Sequence, residues 1–278
     1  MSTELLERRG RLTRGIGLAL VGLVVLMAVV SFVWLPFSIE EIDPTNTNAG
    51  PSSLHWLGTD PLGRDIFTQI LVGSRTTLLV GVVAVGIAGL LGVPLGMLAG
   101  SSGRAVNETV MRFMDIVFAF PAVLLAIILA AGFGGSTITA MVAIGVATVP
   151  VFARITRAAT LGVMNSDYVL VARSYGRQGL PLMVKYVLPN IAAVIIVQAS
   201  VAFAIAILAE AALSYLGMGT QPPTPTWGRS LQEAQTYLFI NPLLPIWPGL
   251  AIALSVLGFN LLGDGLRDSL DPTLRDGG

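Results

Sequence analysis

The 278-residue sequence contains no cysteine and a single histidine, His55. Without cysteine there is no disulfide, thiolate metal site or thiol nucleophile, and one imidazole cannot build a zinc cluster. Charge is scarce as well: Asp, Glu, Lys and Arg make up 12% of the chain, against about 25% in an ordinary soluble domain. Sixteen basic residues balance sixteen acidic ones, so no long-range field draws the protein to nucleic acid. No Gly-x-x-x-x-Gly-Lys-Ser/Thr segment occurs, which excludes a P-loop for nucleotide phosphates.

What the chain has is apolar surface: 54% hydrophobic residues, a mean hydropathy of +0.79 and 31 glycines. That composition rules out a soluble globular enzyme. Apolar runs at 16–35, 76–99, 114–131, 136–152, 191–216 and 243–262 each have the roughly 20-residue length that crosses a bilayer. Arg8, Arg9, Arg11 and Arg14 precede the first run, a layout that superficially resembles a signal peptide. The run is longer than the usual 7–15-residue signal core and ends in Trp34-Leu35-Pro36 rather than a small-residue cleavage site, so it reads as a retained span.

These runs predict an all-α polytopic membrane protein with six transmembrane helices. With the N-terminus inside, the inner segments hold thirteen of the sixteen basic residues and the outer segments only Arg64, Arg75 and Arg229. Because Lys and Arg are retained on the cytoplasmic side, the expected topology is N-in and C-in. The corresponding division is a cytoplasmic segment 1–15, a first span 16–35, an external loop 36–75, a five-span core 76–266 and a cytoplasmic tail 267–278. Within the core lie a cytoplasmic loop 154–190 and an external loop 218–242. The orientation hinges on Gly132-Phe133-Gly134-Gly135 forming a whole turn between spans three and four.

Several residues stand out within this frame. Gly92, Gly96 and Gly100 make two consecutive small-xxx-small steps on span two, favouring a close helix pair within one bundle over a dedicated dimer face. Asp115 is three residues from Arg112, the spacing of a helix-surface pair. Glu210 lies within span five, where a charge costs about 3 kcal/mol unless it faces protein or water. A gate or packing role suits it better than substrate recognition, and Gln198 is a weaker pathway candidate on the same ground. Asp60-Pro61 and Asp65 read as a structural elbow rather than a cation site, with His55 and Trp56 expected at the membrane interface.

The cytoplasmic stretch 165–190 reads as helix, turn, helix. Ser166 is placed to cap the N-terminus, with Asp167 next to it. Tyr168, Ala172 and Tyr175 recur on one face, Gly176 suits a left-handed C′ position, and Pro181 opens the next short helix. Such a helix fits a groove on a partner or lies on lipid; composition does not separate the two.

Four segments resemble the inner-membrane permease subunits of ABC importers, in particular the C-type subunit of the dipeptide, oligopeptide and nickel group. They are Gly58-Thr-Asp-Pro-Leu-Gly-Arg-Asp65; Asp167-Tyr-Val-x-x-Ala-Arg-x-x-Gly176 with Val187-Leu-Pro-Asn190; Ile207-Leu-Ala-Glu-Ala-Ala-Leu-Ser-Tyr-Leu-Gly-x-Gly219 with Gln221-Pro-Pro-Thr-Pro-x-Trp-Gly228; and Phe259-Asn-Leu-Leu-Gly-Asp-Gly-Leu-Arg-Asp268 with Asp271-Pro272. The resemblance implies a type I ABC importer permease fold. It makes Ser166, Asp167, Tyr168, Val171, Ala172, Arg173, Tyr175 and Gly176 the coupling helix that docks on a cytoplasmic ATPase. Leu170 and Val171 stand where the family usually has Glu-Ala, which removes one salt bridge to that partner.

The implied partners are a second homologous permease, two cytoplasmic ABC ATPase subunits, an extracytoplasmic solute-binding protein and the lipid bilayer, with no nucleic acid. ATP and Mg would be used by the ATPases, and no cofactor is expected on this chain. Short peptides lead the implied substrates, ahead of longer peptides, glutathione-like compounds and nickel complexes. A stand-alone channel or secondary transporter is the alternative, and it would need internal repeats or a relay of intramembrane ionisable residues. A membrane-embedded enzyme ranks below both, lacking a catalytic constellation in the spans.

Overall fold

A computed structural model describes residues 3–270, with side chains from 12 to 269. Arg8, Arg9, Arg11, Asp271, Pro272 and Arg275 therefore lie outside what is described of side chains. Among the described residues the chain is helical, broken only by loops and one isolated bridge between Thr59 and Asp65. In order the helices are α1 (Thr3–Val33), α2 (Ile66–Ser101), α3 (Arg104–Phe118), α4 (Ala122–Phe133), α5 (Thr137–Met164), α6 (Asp167–Ser174), α7 (Gly179–Leu182), α8 (Leu188–Tyr215), α9 (Trp227–Thr236) and α10 (Ile246–Leu270). A π-helical turn, Met183–Val187, joins α7 to α8.

Among the described residues, five unbroken helical stretches are long and apolar enough to cross a bilayer. The predicted third span is not one of them. It is divided into α3 and α4, which meet at a 75° bend. Pro121 stands at the break; it donates no amide hydrogen bond and forces the preceding residue away from helical backbone.

The α2/α5 contact forms the centre of the bundle. A Cβ on Gly92 would stand 2.6 Å from Phe152 Cβ, one on Gly96 2.6 Å from Thr156 Cβ, and one on Gly100 2.8 Å from Thr160 Cβ. The glycine stripe thus serves packing within the chain, and the missing side chains let the two backbones meet. On the other side, α10 lies between α1 and α8, with Phe203 and Phe259 stacked at 4.1 Å.

Several helices differ in extent from the apolar runs. α2 starts at Ile66, ten residues before the predicted span, because the Asp65 carboxylate accepts from Thr68 N at 2.7 Å and caps it. α5 continues to Met164 past the predicted end at 152, burying Ala153, Thr156, Thr160 and Met164 along one face. Pro189 does not separate a short helix from span five: α7, the π-helical turn and α8 run past it as one stretch.

Candidate functional site

The predicted coupling segment is a short helix rooted in the bundle. Val169 and Ala172 of α6 are buried, packed with Met164, Leu182, Met183, Val187 and Ile191. Its end is closed by a Schellman motif: Gly176 N donates to Arg173 O at 2.9 Å and Arg177 N to Ala172 O at 3.1 Å, with Gly176 at φ 78°. That left-handed backbone is the reason for glycine at this position.

Two details differ from the sequence reading. Ser166 is the residue before the helix, but its hydroxyl turns back and donates to Val163 O rather than capping α6. Ala172 does not share the exposed face with the tyrosines. The outward face consists of Tyr168, Val171 and Tyr175, spaced i, i+3, i+7, and Tyr175 is 84% exposed. Asp167 and Arg173 are exposed beside them. Tyr168, Val171, Tyr175, Arg177 and Tyr186, with Ala172 at the floor, line an open hollow of 430 Å³.

The opposite end of the bundle carries a cap in which polar groups answer one another. The Asp60 carboxylate accepts from Arg64 Nε (2.6 Å), Gln69 Nε2 (2.7 Å) and the Leu62 and Arg64 amides. Arg64 also reaches Glu233 of α9 at 2.9 Å, and Glu233 accepts from Arg229 at 3.0 Å. His55 is buried within the elbow: Nδ1 lies 3.0 Å from Asp65 Oδ1 and the ring stacks on Phe37. Asp65 thus holds α2 and His55 together. In the same elbow Asp43 is held down at about 2, below the ordinary 3.8, first by the Thr45 hydroxyl, then by Asn46 and the Thr45 amide. Among the described residues no three His, Asp or Glu side chains converge as a metal site would require.

The keystone of the cap is Trp227, 1% exposed, whose Nε1 donates to Ile70 O at 3.0 Å. A Cβ on Gly73 would stand 2.6 Å from the indole, so that glycine makes the slot. Glu210 lies beneath, buried, accepting from Ser214 Oγ at 2.7 Å with the Thr226 hydroxyl beside it. Gln198 is twelve residues nearer the other end of α8, about 18 Å away by helical rise. It is half-buried and makes no side-chain hydrogen bond with a described residue. The two do not form one site. Asp115 pairs with Arg154 of α5 at 2.8 Å rather than with Arg112; the neighbouring helix presents the nearer cation.

The sequence reading missed the Trp227–Gly73 contact and the Arg64–Glu233 bridge. The Thr-Pro-Thr-Trp-Gly segment signalled an ordered loop, but its receptor lies more than 150 residues away.

The apolar helices of membrane-spanning length, capped at one end and bearing a projecting short helix at the other, define a polytopic helical membrane protein. The chain belongs to the family described as binding-protein-dependent transport system inner membrane component, whose model matches residues 92–276. It is 41% identical to the dipeptide transport system permease protein DppC of Alkalihalophilus pseudofirmus, over 93% of this chain and 86% of that one. It is 42% identical to the glutathione transport system permease protein GsiD of Pectobacterium atrosepticum (91% and 86%) and 44% identical to the di/tripeptide transport system permease protein DppC of Pseudomonas aeruginosa (84% and 78%). The inward-facing MetNI methionine ABC transporter shares the fold, with a TM-score of 0.58 at 18% identity, covering 73% of this chain and 96% of the matched chain. The protein is thus a multi-pass permease subunit of an ABC importer, not a stand-alone channel or secondary transporter.

Proposed function

We propose that this subunit pairs with a second homologous permease to form a path for short peptides across the bacterial inner membrane. Two cytoplasmic ATPases drive it, and an extracytoplasmic binding protein delivers substrate to the capped end. The observation that carries this reading is the outward face of α6. Tyr168, Val171 and Tyr175 form an exposed aromatic and apolar face on a helix whose other side is locked into the bundle. Such a face fits a partner's groove.

ATP and Mg belong to the ATPases. ATP-driven closure moves the two coupling helices and rocks the bundles between inward- and outward-facing states, while this chain contributes no catalytic group. Arg154, Arg157, Arg173, Arg177 and Lys185 cluster at the α6 end, which supports its assignment to the cytoplasm and the N-in, C-in topology. The turn after α4 meets the cap-side loop, Thr137 Oγ1 donating to Thr220 Oγ1 at 2.9 Å, while Arg157 at the other end bonds Asn107 of α3. The bent α3–α4 pair therefore supports a sixth crossing. Glu210 acts as a strut under the external gate, and Gln198 contributes to the path.

Short peptides are the substrate class because the relatives named above carry dipeptides, di- and tripeptides or glutathione, itself a tripeptide. The test is purification from native membranes in mild detergent, followed by uptake of a labelled dipeptide in proteoliposomes supplied with ATP and the binding protein. Copurifying ATPases and ATP-dependent uptake are expected. A chain that purifies alone and moves solute without ATP would overturn the proposal.

A further inference from the structure

We propose that Arg75 and the end of α1 form a binding site for the phosphate of a phospholipid headgroup, in the leaflet on the capped side. The inference rests on α1 and α2 spanning the bilayer and not on the docking role of α6.

Height fixes the chemistry. At 36 residues α2 is about 54 Å long by helical rise, far more than the hydrocarbon thickness of about 30 Å, so part of it stands outside the bilayer. Its first turns do so at the capped end: Ile66 and Thr68–Ser74 are buried beneath the elbow and α9. Arg75 is the next residue. Its Nε donates to Ser31 Oγ at 2.6 Å, and its guanidinium lies 4.0 Å over the Phe32 ring. Ser31 and Phe32 are in the last turn of α1, whose apolar run ends at Leu35. Arg75 thus stands where hydrocarbon gives way to headgroups. Trp34 and Trp56 lie just beyond, their centroids 6.3 Å apart with Phe67 5.1 Å from Trp56, and tryptophan is enriched at that depth.

The guanidinium lacks an anion. Arg64 and Arg229 in the cap share Glu233, and Arg154 has Asp115. No described carboxylate lies within ion-pair distance of Arg75, and Ser31 engages one of its five N–H groups. The flanking side chains are exposed and apolar: Phe32 is 72% exposed, and Val29 and Leu79 are exposed as well. A charge on such a surface needs a counter-ion that travels with acyl chains, and a guanidinium fork matches two phosphate oxygens.

The test uses the detergent-purified importer as it is isolated, titrated with phosphatidylglycerol or with the phosphate-free monogalactosyl diacylglycerol, with bound lipids counted by native mass spectrometry. Wild type is expected to retain phosphatidylglycerol in preference to the galactolipid. R75Q should bind phosphatidylglycerol at least about tenfold more weakly, the loss of one charge-assisted contact, with R75K restoring part of it and thermal unfolding reporting that each variant is folded. Equal retention of both lipids by wild type, or undiminished phosphatidylglycerol binding by R75Q, overturns the proposal. So does displacement of the lipid by inorganic phosphate alone, which would make the site one for a soluble anion. Loosening of the permease pair in R75Q with an unchanged lipid count would also overturn it, assigning the counter-charge to a second subunit's carboxylate.

Discussion

The two ends of this bundle solve opposite problems. In the cap, Asp60, Arg64, Arg229 and Glu233 are paired within the chain and Trp227 is sealed in a slot cut by Gly73. At the other end, the outward face of α6 leaves Tyr168, Val171 and Tyr175 in the open. Buried polar groups are costly unless satisfied, and Asp60, Asp65 and Trp227 each find partners within the cap. Exposed aromatics at helical spacing gain nothing for the isolated chain. The cap is therefore built for stability, whereas α6 is proposed to serve association, and the two should respond differently to mutation.

The largest expected effect falls on the cap. Trp227→Ala empties a filled slot and strands the Ile70 carbonyl contact, and large-to-small changes of this kind cost about 3–5 kcal/mol. Thermal unfolding in detergent should show a marked loss, whereas a cap that merely rests on α2 would leave the melting temperature unchanged. Next comes α6. Tyr175→Ala should weaken ATPase binding by about 2 kcal/mol, near 30-fold, without moving the unfolding curve. A drop in stability with intact ATPase binding would reverse the contrast between the two ends.

Smaller effects sharpen the comparison. Arg64→Gln breaks a partly buried bridge from the elbow to α9 while leaving Asp60 its amide and Gln69 partners, so about 1 kcal/mol is expected after solvent screening. Protease sensitivity of the 37–65 elbow is the readout, and a cap held by packing alone would show no change. The smallest concerns pH. Because the Asp43 carboxyl is depressed in the folded elbow, its contribution is complete above the ordinary value of 3.8 and is lost only as pH falls through about 2. Proteolysis of the elbow by an acid-active protease should therefore show no transition attributable to Asp43 between neutral pH and 3.8, whereas Asp43→Asn should cut faster throughout that range.

Much of this was legible in the chain itself. The apolar runs marked five spanning helices because about twenty residues with little or no charge have few other uses, and the Gly92, Gly96, Gly100 spacing announced a close helix contact. The Schellman glycine of α6 was equally readable, since Gly176 follows a helical pattern at the position where left-handed backbone is required. The misreadings share one cause. Apolarity locates the membrane, not the helix ends, so the capped start of α2 at Asp65 and the amphipathic continuation of α5 lay outside the runs that were counted. Ala172 was assigned to the tyrosine face because periodicity alone does not say which side of a short helix the bundle claims.

What the sequence by itself determined is the solvent each segment prefers, the left-handed helix stop at Gly176, and a family identity carried by motifs in fixed order. What only tertiary structure decided is pairing between distant residues: Trp227 with Gly73 and Ile70, Arg64 with Glu233, Asp115 with Arg154 in place of Arg112, and Arg75 with Ser31. Local propensity and hydropathy act over a few helical turns, whereas an ion pair or an indole slot depends on which helices stand side by side. That arrangement is set by the packing of the whole bundle.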